Sequence, residues 1–287
     1  MIEVLSAVLA SVAWSFVPAI ISRWGKDVSP SLFTAIRAFS ALIILLMILK
    51  PLRYVLKVDL FIGNLDVPII VLLFVSGVIG PGIGDITYTK AIQILGGSLA
   101  ITISYTYILL VQFFALILHV EIITIGVLIG GMISFLGVCV AVVGRPTKIN
   151  FVGIVYALTA SICWALAITI VRILQPYIDV LTLTVLRIAS AAIATTAIGF
   201  TKKERFNLSC RLFISAFAAG IIGWCIGMVL YMFSIYAIGA SKASIATSLT
   251  PILSQLTSRY IAHERQSFRV VVGSLLVAIG IAISNVL

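Results

Sequence analysis

The chain has 287 residues, 62% of them hydrophobic and only 10% charged, with a formal net charge of +10. Soluble domains carry roughly a quarter charged residues, so a fold of this composition could not hydrate its surface. The basic residues sit between apolar runs and not along one face or in a tail, which argues against a nucleic-acid partner and fits loops flanking membrane helices.

In chain order, the first apolar run covers about residues 4–22. It follows Met1-Ile2-Glu3 without a basic lead and has a counterpart later in the chain, which predicts a retained helix and not a cleaved leader. Runs at 31–49, 67–94, 97–118 and 123–143 complete a set of five; a second five follows at 151–172, 179–200, 211–237, 241–261 and 268–286. Runs near this length cross about 30 Å of hydrocarbon as helix, and none shows the alternation of a membrane strand. Glycine interrupts the third and eighth runs, as GVIGPGIGD at 77–85 and GIIGWCIG at 220–227. The spacing of Gly80 and Gly84, and of Gly223 and Gly227, predicts close helix packing, while the Gly-Pro-Gly break can also free carbonyls or form a hinge. Gln112 and Gln255 read as interhelical bonding residues, and Glu121 and Glu264 as carboxylates serving the dipoles of the fifth and tenth helices. Cys139, Cys163 and Cys225 lie within apolar runs without CxxC spacing and read as packing residues, not metal or redox groups.

The two sets of five are copies. Ala7, Ala10, Ser11, Trp14, Arg37 and Ala41 recur 150 positions later as Ala157, Ala160, Ser161, Trp164, Arg187 and Ala191. Beyond the second run the offset becomes 143, pairing Gly77, Gly80, Gly84, Tyr88 and Gly96 with Gly220, Gly223, Gly227, Tyr231 and Gly239. The change falls where a loop belongs, and chance similarity would not keep register across a loop of altered length. An odd number of crossings leaves each half ending on the face opposite its start, so the second half enters the membrane upside down. The expected fold class is therefore an all-α membrane protein of ten transmembrane helices in two inverted five-helix repeats, at 1–145 and 149–287. Such repeats can exchange roles and expose a central site to each face in turn.

This duplicated unit, with Trp14 and Trp164, Arg37 and Arg187, the run AIGASKASIATSLTPILSQL (237–256), HER (263–265) and GSLLVAIGIAI (273–283), resembles the EamA family of the drug/metabolite transporter superfamily. The resemblance covers essentially the whole chain. It implies a secondary carrier of the cytoplasmic membrane that moves small organic solutes, often amino acids or related metabolites. It also implies a cavity lined mainly by helices 1, 3, 4, 6, 8 and 9, with the fifth and tenth at the periphery. Counting Lys and Arg gives five on the face of the termini and twelve on the other, which places the termini outside, whereas the resemblance places them in the cytoplasm. Orientation stays open at this point. Asp85 and Lys90 depart from the repeat, having Met228 and Phe233 as counterparts.

Asp85 lies well inside an apolar run, where a carboxylate costs about 2.5–3.5 kcal/mol on insertion and should face a cavity or a partner. It is a candidate for binding a substrate ammonium or a coupling proton; the structural alternatives are a pair with Lys90 or a cap on freed backbone. Five residues of helix set Asp85 and Lys90 some 140° apart, so regular geometry disfavours that pair. Arg37 and Arg187 could hold a substrate carboxylate, although recurrence near a helix start favours anchoring residues that snorkel to the surface. Trp14 and Trp164 sit mid-helix, away from the interfacial belt, so their indole N–H groups need partners in a cavity wall or another helix. Tyr88 and Tyr231 recur in both halves. Tyr105 and Tyr107, beside Thr102 and Ser104, and the equivalent Ser244, Thr247, Ser248 and Thr250 point to a polar cavity between helices. The expected substrate-binding set is Asp85, Trp14, Tyr88, Tyr105, Trp164, Tyr231 and Ser248.

Other classes fit less well. Gly82-Ile83-Gly84-Asp85 matches the GxGD signature of intramembrane aspartyl proteases, but no second carboxylate lies in the body of another helix to complete the pair that chemistry needs. His119 and His263 fall near loop ends and no GxSxG is present, against a serine hydrolase; no P-loop is present, against an ATP-driven pump. A channel-like pore is the remaining rival. The sequence therefore points to a non-enzymatic carrier without cofactor or metal, embedded in a lipid bilayer and binding a small-molecule substrate, with its oligomeric state undetermined.

Overall fold

The computed structural model describes residues 2–142, 150–201, 209–262 and 268–286. The described chain is helical apart from short connections and one isolated antiparallel bridge between Ile62 and Ile178. Side-chain oxygens start several helices by accepting otherwise orphaned backbone N–H groups. Ser29 accepts from Leu32 N at 3.2 Å, and Pro30 occupies the first helical position, where its missing N–H costs nothing. Asn150 and Ser209 cap two helices of the second half in the same way.

The first half begins with α1 (Ile2–Trp24) and α2 (Pro30–Leu56). The third run is one rod made of α3 (Val67–Gly77), a π-helical stretch (Val78–Gly84) and α4 (Asp85–Leu95). Next come α5 (Gly97–Ser104), α6 (Tyr107–Ile117) and α7 (Ile125–Val142). The second half repeats this order: α8 (Phe151–Leu174), α9 (Val180–Thr201), then α10 (Cys210–Gly220), a π-helical stretch (Ile221–Met228) and α11 (Val229–Ile238). It closes with α12 (Ala240–Ala246), α13 (Leu249–Ala262) and α14 (Phe268–Val286). Among the described residues, six rods are long and apolar enough to cross a membrane: Val4–Trp24, Pro30–Leu56, Val67–Leu95, Phe151–Leu174, Val180–Thr201 and Cys210–Ile238. Shorter apolar helices include Tyr107–Ile117, Ile125–Gly137 and Leu275–Ser284.

Both glycine-interrupted runs thus continue as helix but widen to π winding at the same repeat position. Pro81 is not the requirement, because Trp224 stands at its place in the second copy; the glycine pairs are what the two stretches share. The rods stop at Gly96 and Gly239, whose φ of 83° and 85° with ψ of 161° and 165° fall in a region open essentially to glycine alone. Contrary to the continuous fourth and ninth helices expected from the sequence, both break midway, around Tyr105–Thr106 and Thr247–Ser248. There Thr106 Oγ1 donates to Ile103 O at 2.8 Å and Thr247 Oγ1 to Ser244 O at 2.7 Å, so side chains compete with the helical ladder.

Equivalent helices of the two halves lie antiparallel. Arg53 at the end of α2 meets Asp179 and Thr182 at the start of α9, while Leu32 near the start of α2 shares an apolar groove with Thr195 and Gly199 near the end of α9. Gly130 of α7 packs on the Gly280 carbonyl of α14, and Gly137 on that of Gly273. The third rod of each half also packs on the first two helices of the other. A Cβ on Gly77, Gly80 or Gly84 would stand 2.5 Å from Arg187 O, 2.6 Å from Ala167 Cβ or 2.8 Å from Trp164 Cδ1. Gly220, Gly223 and Gly227 face the repeat-equivalent Arg37, Val17 and Trp14. The glycines therefore serve close packing, as their spacing predicts.

Glu121 departs from expectation. It serves the start of α12 and not that of α7, accepting from Ala240 N at 2.5 Å and Ser241 N at 3.0 Å and pairing with Arg172 at 3.2 Å. His263, Glu264 and Arg265 lie outside the described residues.

Candidate functional site

A cavity of about 100 Å³ lies where the two halves meet. Its walls come from both: Trp14, Arg37, Asp85, Tyr88, Tyr105 and Tyr107 from the first, and Trp164, Arg187, Trp224, Met228, Tyr231 and Thr250 from the second. Among the described residues, no lining residue comes from α7 or α14, in keeping with the peripheral place expected for them, whereas α2 and α9 contribute one arginine each.

The π winding at 78–84 ends at Asp85, which starts α4 and is 7% exposed. Its carboxylate is satisfied by side chains of three other helices. Arg37 Nη1 lies 3.0 Å from Oδ2, Trp164 Nε1 donates to Oδ1 at 2.9 Å, and Trp224 Nε1 donates to Oδ2 at 3.1 Å. The Arg37 contact is ionic more than directional, since neither Nη1 nor Nε finds a well-aligned acceptor. The guanidinium also stacks over Trp224, 5.0 Å from the ring centroid, a cation–π contact that spreads the charge over an apolar wall. A buried carboxylate held by one cation and two indole donors is compensated, which is why it persists in this setting.

The rest of the wall is aromatic and follows the repeat. Tyr88 meets Trp164 edge-on at 4.9 Å, and the equivalent pair, Tyr231 and Trp14, meets at 5.0 Å. Trp14 Nε1 donates to the Gly223 carbonyl at 2.7 Å, inside the second π stretch, where wider winding leaves carbonyls available. Tyr231 OH and Ser244 Oγ are 2.8 Å apart, and Tyr107 OH bonds Thr247 Oγ1.

Six of the seven residues expected from the sequence line this cavity: Asp85, Trp14, Tyr88, Tyr105, Trp164 and Tyr231. Ser248 does not. It occupies the repeat position of Tyr105, but its short side chain is fully buried and its hydroxyl donates back to Ile245 O. Asp85 pairs with Arg37, not Lys90. Nor do Arg37 and Arg187 snorkel; each is 2% exposed and reaches the cavity.

The profile of the EamA-like transporter family matches residues 1–143 and, a second time, residues 151–286. The chain belongs to the EamA-like transporter family. An uncharacterized transporter of Archaeoglobus fulgidus is 25% identical over 285 residues, covering 98% of this chain and 97% of that one. The uncharacterized transporter YvbV of Bacillus subtilis is 27% identical over 167 residues, 55% of this chain and 52% of that one. A solved crystal structure shares the fold at a TM-score of 0.77 and 18% identity, covering 99% of this chain and 96% of that one. This EamA-like protein is therefore a multi-pass membrane transporter and not an enzyme.

Sequence reasoning missed Trp224 as a site residue in this transporter. Recurrence between halves selected Trp14 and Trp164, and Trp224 has Pro81 as its counterpart, so that filter passes over it. The available signal was its position inside a glycine-interrupted run, far from an interface.

On the side of the helix connections at 57–66 and 175–179, the halves are tied together. Arg53 Nη2 contacts Asp179 at 3.1 Å, Asp179 N donates to Phe61 O at 2.9 Å, and Gly63 N donates to Tyr177 O at 2.8 Å. Burial pushes the Asp179 carboxyl up, but hydrogen bonds from Thr182, Arg53 and Phe61 N–H win and hold it below the usual carboxylate range.

Proposed function

We propose that this transporter crosses the cytoplasmic membrane ten times, as inverted repeats at 1–145 and 149–287, and carries a small organic metabolite by alternating access. The observation that carries this reading is the cavity itself, walled by equivalent residues of two halves whose matching helices run antiparallel. Two such bundles can rock about a shared site and present it to either face. The ties between Arg53 and Asp179 and between Gly63 and Tyr177 link the halves at one rim, and they would have to open when that face admits solute. Trp14, Tyr88, Tyr105, Trp164 and Tyr231 form the walls against which the solute packs. Asp85 holds Arg37 and two indoles in place, so a substrate ammonium or a coupling proton reaches it only in competition with those donors.

The test uses a variant free of Cys139, Cys163, Cys210 and Cys225 and carrying Tyr105→Cys. A membrane-impermeant maleimide is applied to right-side-out and to inverted vesicles. Labelling from both sides, without leakage of a small hydrophilic dye, is the expected result. Labelling from one side alone would contradict alternation, and labelling accompanied by dye leakage would favour a pore.

A further inference from the structure

The two cavity arginines are equivalent in sequence but not in circumstance. Arg37 has Asp85 3.0 Å away. At the repeat position of Asp85 the second half carries Met228, and Arg187 consequently has no carboxylate partner among the described residues. Its Nη1 lies 3.1 Å from the Met232 sulfur, a weak acceptor, and its Nε has no hydrogen-bond partner although it is buried. Gly80 packs beside the same guanidinium, where a Cβ would stand 3.2 Å from Nη2. Asp85 and Arg37 cancel, so Arg187 leaves the cavity with one uncompensated positive charge. An unpaired charge in such an enclosed, aromatic-walled site is costly, and the cost falls when a counter-ion enters with its charge-assisted hydrogen bonds.

We propose that Arg187 is the anion subsite of the transporter and that the substrate class is a small organic monocarboxylate with an apolar or aromatic body. The carboxylate meets the Arg187 guanidinium where that side chain lines the cavity, and the body of the solute lies among the cavity's tryptophan and tyrosine rings. A compact cation has no free carboxylate to meet, since both Asp85 oxygens already accept from protein donors. This assignment rests on the carrier reading and names the solute that the same cavity takes.

Purified full-length protein is titrated with phenylacetate, its neutral isostere phenylacetamide, the cation phenethylamine and sodium chloride, and unfolding temperature is followed. The expected result is saturable stabilisation by phenylacetate alone. Arg187→Gln weakens its apparent affinity roughly ten- to hundredfold, the range of a charge-assisted bond. Met228→Asp supplies Arg187 with an internal counter-ion, as Asp85 does for Arg37, and removes phenylacetate binding in a protein that remains folded, whereas the uncharged Met228→Asn, which alters the same wall, weakens binding far less than Met228→Asp does. Should Arg187→Gln fail to fold, the Met228 pair decides. Equal stabilisation by the amide or the amine, no stabilisation by any probe, or unchanged affinity in both Arg187→Gln and Met228→Asp overturns the assignment. Chloride stabilising in place of phenylacetate also overturns it, showing an inorganic-anion site. Two-sided maleimide labelling does not depend on Arg187, so labelling from both faces with no carboxylate binding removes this inference and leaves the carrier reading standing.

Discussion

Replacing Asp85 with asparagine tests the electrostatic core of the site. Asparagine keeps the shape but offers one acceptor oxygen where the carboxylate has two. If Oδ1 keeps the Trp164 bond, the new amide group faces Trp224 Nε1 and Arg37, donors that now meet a donor. Arg37, 2% exposed, would then be buried without its counter-ion in a cavity that the equally buried Arg187 also lines. Breaking a buried pair by removing one partner costs about 3–5 kcal/mol, and that range is the expected loss for Asp85→Asn. Arg37→Gln alone should cost a similar amount, because it strands the carboxylate. The double variant Asp85→Asn/Arg37→Gln removes both charges, and most of the loss should return, with a coupling energy of about 2 kcal/mol or more. Reversible unfolding in mixed micelles, followed by tryptophan fluorescence, measures the cycle. Additive penalties, or an Asp85→Asn protein as stable as the wild type, would refute the view that this pair is mutually required.

Gly77→Ala and Gly220→Ala should each lose about 1–3 kcal/mol through overpacking, and by similar amounts, because each new Cβ would stand 2.5 Å from the backbone oxygen of the arginine on the opposite half; matched losses in unfolding temperature check the two-fold relation. Trp14→Phe should cost about 0.5–1.5 kcal/mol by removing the indole N–H that the Gly223 carbonyl accepts, measured in the same assay. Asp179 is held below the ordinary carboxylate value of about 3.9, so its contribution is complete above that pH and is lost as pH falls through the lowered folded value. Asp179→Asn should flatten the acid limb of the stability profile, and an unchanged limb would show that the tie contributes nothing. Epitope tags at residue 1 and at residue 145 should report opposite compartments in intact cells, as an odd number of crossings demands; the same compartment for both would break the inverted topology.

The amino-acid sequence determined the class, the duplication and most of the cavity wall. Apolar runs fix helices one at a time, and recurrence at 150 and 143 positions singled out the tryptophans, tyrosines and paired glycines that the fold brings together. Tertiary structure alone decided who partners whom. Asp85 takes Arg37 from α2 and indoles from Trp164 and Trp224, contacts spanning up to 139 positions, because the glycine faces let rods of opposite halves approach closely. Periodicity carries no information about such crossings, so the sequence offered Asp85 only a badly angled Lys90 or freed backbone as structural alternatives, and read Arg37 as an anchor. The same crossings leave Arg187 against Met232 with no carboxylate, an asymmetry that appears only when two copies of one sequence pattern are folded against each other and a single aspartate has no twin.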